Sequence, residues 1–108
     1  MDIHDFQLYC EKKSGSELCF PFGEDHMVFK VGGKIFALAP MVPFERINLK
    51  CDPERALELR GMYASIIPGW HMNKKHWNSI LLDGTLSDKI IYDLIDHSYD
   101  LVSKKVKL

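Results

Sequence analysis

The chain has 108 residues, 46% of them hydrophobic and twelve aromatic, which supplies one core and not two. Its formal net charge of −1 excludes the strongly basic profile of a protein that coats nucleic acid. No run of 18 apolar residues offers a membrane span, and the opening Met-Asp-Ile-His-Asp has neither a basic nor an apolar signal region, so a cytoplasmic protein without membrane contact is expected.

The first element is a short helix. Asp2 is placed to cap it, and Ile3, Phe6 and Cys10 fall on one face at i, i+3 and i+7. Ser14-Gly15-Ser16 ends it. The hydrophobic period then shortens. Leu18-Cys19-Phe20 reads as a strand stopped by Pro21-Phe22-Gly23. Met27–Val31 and Lys34–Leu38 read as two strands joined by Gly32-Gly33, a dipeptide that accepts the positive φ of a type I′ turn. That register sets Phe29 opposite Phe36. After Pro40 and Pro43, Arg46–Lys50 makes a further strand with Ile47 and Leu49 on one side.

Asp52-Pro53-Glu54 is a strong helix start: Asp caps, Pro fits the first turn, and Glu suits the positive end of the dipole. Ala56, Leu59 and Tyr63 form its buried stripe, and Pro68-Gly69 stops the segment. Residues 70–77, Trp-His-Met-Asn-Lys-Lys-His-Trp, read nearly the same in both directions. Folded about Asn73-Lys74 they give a two-residue hairpin with His71 against His76 and Trp70 against Trp77. Strand character continues to Leu82. A last helix starts near Ser87-Asp88, keeps a 3.6-residue period through Val102, and ends in the basic tail Lys104, Lys105 and Lys107. Helix, three or four strands, helix, two strands, helix: this order with tight turns predicts one α+β domain, residues 1–108, as an antiparallel sheet with helices packed on one face.

Catalytic and metal chemistry find little support. The three cysteines, Cys10, Cys19 and Cys51, contain no C-x-x-C and read as small hydrophobes. His71 and His76 alone are too few ligands for zinc, which takes three or four from the protein. Asp93, Asp96 and Asp100 share one face of the last helix, where they could hold a cation or, more ordinarily, face water. Ser65, Ser79 and Ser98 sit in no G-x-S-x-G context, so no enzyme activity and no cofactor are expected. Charge distribution says more than its sum: residues 1–25 carry −4, residues 26–82 carry +4, and residues 83–108 carry −1. Lys30, Lys34, Arg46, Lys50, Lys74 and Lys75 lie on or near the two hairpins, a placement compatible with phosphate binding or with blunted sheet edges.

Several blocks resemble the MmcQ/YjbR family in order along nearly the whole chain: Phe20-Pro21-Phe22-Gly23, Val28 to Leu38, Asn48 to Glu54, Pro68 to Trp77, and Asp96 to Val102. The resemblance implies a two-layer CyaY-like fold and DNA binding through two projecting hairpins, a double wing. It marks Lys30, Lys34, His71, Lys74 and Lys75 as the contacts to DNA, largely without sequence specificity. The frataxin-type proteins of the same fold imply an alternative, metal binding on an acidic first helix, but Asp2, Asp5 and Glu11 are sparse for it. A protein-interaction module without a nucleic-acid ligand is the other alternative.

Overall fold

A computed structural model describes residues 1–104, so Lys105 and Lys107 of the basic tail lie outside the described residues. The elements run α1 (Ile3–Glu11), β1 (Ser16–Cys19), β2 (His26–Val31), β3 (Lys34–Pro40), β4 (Arg46–Lys50), α2 (Pro53–Met62), β5 (Ile66–Pro68), β6 (Trp77–Leu81) and α3 (Asp88–Ser103). The helix starts follow local chemistry. Asp2 and Asp5 close a reciprocal capping box on α1, Asp52 accepts the Arg55 N–H at 3.1 Å ahead of Pro53, and the Ser87 hydroxyl accepts the Ile90 N–H at 3.3 Å.

All six strands form one antiparallel sheet in the order β1-β2-β3-β4-β6-β5. Strand alternation sends Met27, Phe29, Val31, Ile47, Leu49 and Ile80 to one face. There they meet Phe6 and Cys10 of α1, Ala56 and Leu59 of α2, and Ile91, Leu94, Ile95 and Val102 of α3 in one cluster. The predicted two-layer α+β arrangement is therefore the observed one. Phe6, Phe29 and Phe36 are wholly buried, each contributing about 1.5–3 kcal/mol through apolar burial. Cys10 and Cys51 are buried too, and burial raises both thiols, Cys10 far above the ordinary cysteine range, as expected of packing groups.

Three local expectations are corrected. Gly32 and Gly33 do take φ of 57° and 79° in a tight turn, but a bulge at Phe29/Lys30 shifts the ladder, so Phe29 pairs with Ala37. Phe29 and Phe36 still touch, with ring centroids 6.3 Å apart. The helix begun at Asp52 does not run on toward Pro68. Tyr63 is already extended, and Ile66–Pro68 forms an edge strand, where a proline without an N–H costs no ladder bond. The Asp93, Asp96 and Asp100 row is not a free carboxylate set. Asp96 accepts the Tyr9 hydroxyl at 2.7 Å and pairs with Lys13, while Asp93 pairs with Lys89 at 3.2 Å. The Asp96 contacts tie α3 to α1 and the turn after it, and the Asp93 pair lies within α3. Ser98, buried, donates to the Phe36 carbonyl at 2.5 Å and accepts the Lys50 N–H at 2.9 Å, which ties α3 to the bulge and to the end of β4.

Candidate nucleic-acid interface

Strand direction decides where the lysines go. The β2–β3 turn, the end of β4 and the β5–β6 connection all lie at one end of the sheet, because β3 and β6 run away from that end and β2, β4 and β5 run toward it. Lys34 sits exposed at the first of these. Lys50 ends β4 opposite Trp77, and Lys74 and Lys75 are exposed in the third. Lys30 points from β2 onto the helix-free face, half-buried, with Glu17 and Ile35 as cross-strand neighbours. None of Lys30, Lys34, Lys74 and Lys75 belongs to a salt bridge among the described residues. Acidic groups gather at the opposite end: Glu24 and Asp25 before β2, Glu45 before β4, and Asp83 after β6. Asp88 begins α3 there, in a 3.2 Å contact with the Met1 amino group. Most lysines of the +4 block thus share one end of the sheet, beside Asp52 and Glu54 at the start of α2, while Arg46 starts β4 at the other end.

The second hairpin departs from its sequence reading. It is no two-residue turn, because the β5–β6 pairing stops at Pro68 and Asn78 and leaves nine residues between them. The Gly69 N–H still reaches the Trp77 carbonyl at 2.9 Å. The Trp70 N–H then turns onto the Ser79 hydroxyl at 2.9 Å, and His71 takes a φ of 58°, a left-handed conformation seldom adopted by residues other than glycine. The chain folds back over the helix-free face instead of projecting. The return is organised by Asn73, whose carbonyl accepts the His76 and Trp77 N–H groups and whose side chain accepts that of Lys75 at 2.9 Å.

Consequently His71 does not face His76, and Trp70 does not face Trp77. His76 gives its carbonyl to the Cys51 N–H at 2.8 Å, while His71 packs edge-on against Trp70, with ring centroids 4.8 Å apart. The five residues marked by the resemblance are therefore split. Lys30, Lys34, Lys74 and Lys75 share the basic end, and His71 lines a separate cleft.

Arg60 holds the folded-back loop, and nothing in the sequence pattern singles it out. From α2 its Nε donates to the Asn78 side chain at 2.7 Å, and its Nη2 reaches the carbonyls of Trp77, at 3.2 Å, and Lys74. Lys74 in turn donates to the Gly69 carbonyl at 3.1 Å. Together with Lys75, these groups border a depression of about 210 Å³ against Pro53, Glu54 and Leu57 of α2.

The cleft occupies the helix-free face. Asn48, buried, forms a polar floor beside Leu38, and its buried cross-strand neighbour Ser79 lies behind it. The Ser79 hydroxyl accepts the Trp70 N–H, so its proton goes to Asn48 Oδ1 at 2.5 Å; Asn48 Nδ2 faces the Trp70 carbonyl at 3.4 Å. Phe22 and Trp70, both exposed, stand at the mouth with His26, Arg46 and His71. The guanidinium of Arg46 lies 5.8 Å over the Trp70 ring and contacts Glu45 at 3.3 Å, while its buried Nε has no partner. The cleft holds about 210 Å³ and is open to solvent on one side. The alternation of Arg46-Ile47-Asn48-Leu49-Lys50 placed Asn48 on this outer face. The loop that roofs it had no sequence signal.

Comparison with known proteins places this arrangement in a family. The YjbR family model matches residues 11–101. The chain is 51% identical over 89 residues to the uncharacterized protein YbdF of Escherichia coli O157:H7, covering 80% of this chain and 71% of that one. It is 36% identical over 100 residues to the uncharacterized protein YjbR of E. coli K12, covering 92% and 85%. The crystal structure of Deinococcus radiodurans DR2400, a DUF419 domain protein, superposes with a TM-score of 0.91 at 40% identity, over 96% of this chain and 80% of that one. A Pseudomonas syringae protein of 32% identity follows at 0.78, over 94% and 99%. Matched in sequence over most of its length and in fold over nearly all of it, the chain belongs to the YjbR family.

Proposed function

We propose that this protein binds DNA through phosphate contacts at the basic end of its sheet. One observation carries the reading: two separate lysine-bearing hairpins open at the same end, and their lysines are outside any salt bridge among the described residues. Lys30, Lys34, Lys74 and Lys75 are the contacting groups. Their ammonium groups are compact point charges, Lys74 held to the Gly69 carbonyl and none in a salt bridge among the described residues, and they suit phosphate more than base edges. Binding is accordingly weak and indifferent to sequence. The first hairpin, flanked by β1 as far as Val31, offers Lys34 beside its turn, and the second offers its lysine-bearing edge.

The test is duplex DNA titrated at several salt concentrations. Each phosphate neutralised contributes about −0.9 to the slope of log K against log salt, so two to four contacts give roughly −2 to −4. Replacing Lys74 and Lys75 together by Ala flattens the slope by up to about 2. Replacing Lys89, which pairs with Asp93 at the other end of α3, leaves it unchanged. No binding at low salt, where electrostatic attraction is strongest, refutes the reading.

A further inference from the structure

We infer that the cleft on the helix-free face receives one unpaired nucleobase, so that the sheet holds single-stranded as well as duplex nucleic acid. The ligand class rests on the nucleic-acid reading above; the cleft itself is a separate site built from different residues.

Its size limits the occupant. About 210 Å³ lies below the roughly 300–1,000 Å³ of pockets that take whole drug-sized ligands, so one ring system fits and a cofactor does not. Its walls call for a flat group, because the faces of Trp70 and Phe22 are available beside the opening at 52% and 59% exposure. Aromatic faces of this kind stack on any base. Its floor calls for a hydrogen-bonding edge. Asn48 is 5% exposed, and its carboxamide spends one donor on the Trp70 carbonyl and one acceptor site on Ser79. One donor and one acceptor site remain, the complement a base edge presents. Arg46, whose side chain is 21% exposed and contacts Glu45 at 3.3 Å, lines the cleft with His26 and His71 and supplies the cation nearest the phosphate of the same nucleotide.

Other occupants leave a group unsatisfied. A purely apolar ligand strands the remaining donor and acceptor of Asn48, and a bare anion has no use for Trp70 and Phe22. The left-handed His71 is consistent with a loop held in a costly conformation to roof a site. The lysines of the basic end continue the path. Lys30 lies on the same face as Val28 and Leu38, so a strand of nucleic acid crossing the sheet passes from lysine to cleft.

The experiment follows backbone amide and tryptophan indole resonances of the full chain during titration with dTMP, thymidine, inorganic phosphate, and a dT oligonucleotide against a duplex of equal length. The expected result is that dTMP shifts Asn48, Trp70 and Met72, and that the oligonucleotide binds more tightly than the duplex. Charge density alone predicts the reverse order. Trp70→Ala weakens oligonucleotide binding about 5- to 100-fold, the worth of one stacked base, and leaves duplex binding intact. Phe22→Ala, at a still more exposed position, repeats the effect if Trp70→Ala disturbs the loop. Shifts produced equally by inorganic phosphate, or no shift with dTMP and no preference for the single strand, overturn the inference. Binding of dTMP without any duplex binding keeps the cleft and removes only the basic-end reading. Displacement of dTMP by N-acetyltyrosine amide at similar concentration reassigns the cleft to a protein side chain and overturns it as well.

Discussion

Arg60→Met is the most informative single change, because it removes the clamp on the β5–β6 loop while keeping most of the side-chain volume. The Arg60 Nε bond to Asn78 is 2.7 Å long and part-buried, and hydrogen bonds to a charged partner contribute about 1.5–3 kcal/mol. The two carbonyls it also serves add less, since water replaces the donor at the exposed Lys74 carbonyl and the Trp77 carbonyl keeps the Gly69 N–H. Asn78 is 2% exposed and its Nδ2 already has no partner, so the substitution leaves the whole carboxamide unpaired. The total is about 2–4 kcal/mol, or about 8–16 °C in Tm at about 4 °C per kcal/mol for a domain of this size. Urea unfolding should show a lower midpoint with an unchanged slope. Arg60→Lys should recover only part, since one ammonium cannot reproduce the fork. The double variant Arg60→Met/Asn78→Leu should regain most of the loss, because removing both buried partners leaves nothing unsatisfied. An Arg60→Met protein within about 0.5 kcal/mol of wild type would refute the reasoning, as would a double variant no better than the single one.

Two glycines and three titrating side chains lead to further outcomes. A Cβ on Gly69 would stand 2.7 Å from the Trp77 Cβ and 3.1 Å from that of Met72, so Gly69→Ala should cost about 1–3 kcal/mol in a thermal melt. Gly61→Ala, with open space around it in the last turn of α2, should gain about 0.5–1 kcal/mol. Burial, with the nearby Arg55, holds the His97 pKa below its ordinary 6.5, and its neutral Nε2 accepts the Asp52 N–H at 3.2 Å, where α2 begins. The unfolded chain takes up that proton at higher pH than the folded one. Stability should therefore be full above about 6.5 and fall as pH drops through the folded value, and His97→Gln should flatten this step in pH-dependent urea midpoints. Asp2, lowered by the Asp5 N–H, and Asp83, lowered by the Thr85 hydroxyl and N–H, add a separate loss only below about 3.8.

Local chemistry written in consecutive residues was legible without the fold. Asp2, Asp52-Pro53 and Ser87 start their helices, Gly32-Gly33 turns its hairpin, and the spacing of Phe6 with Cys10, and of Ala56 with Leu59, names buried faces. Each depends on atoms within a few positions of one another, so the sequence order of residues is also their order in space. The YjbR blocks likewise run in chain order.

What only the tertiary structure decided involves partners far apart in the chain. Residues 70–77 look like a two-residue hairpin because their pattern is symmetric. The turn is settled instead by Ser79 capturing the Trp70 N–H and by Arg60 gripping the loop from α2. Asp96 looks like one of a row of carboxylates until Tyr9 and Lys13 arrive from the other end of the chain. Asn48, Ser79, Arg46 and Phe22 carry no motif, and they meet because strand order sets β4 beside β6 and a loop closes over them. Hydrogen-bond donors left over after local pairing find their partners only when the sheet is assembled, and assembly is what created the cleft.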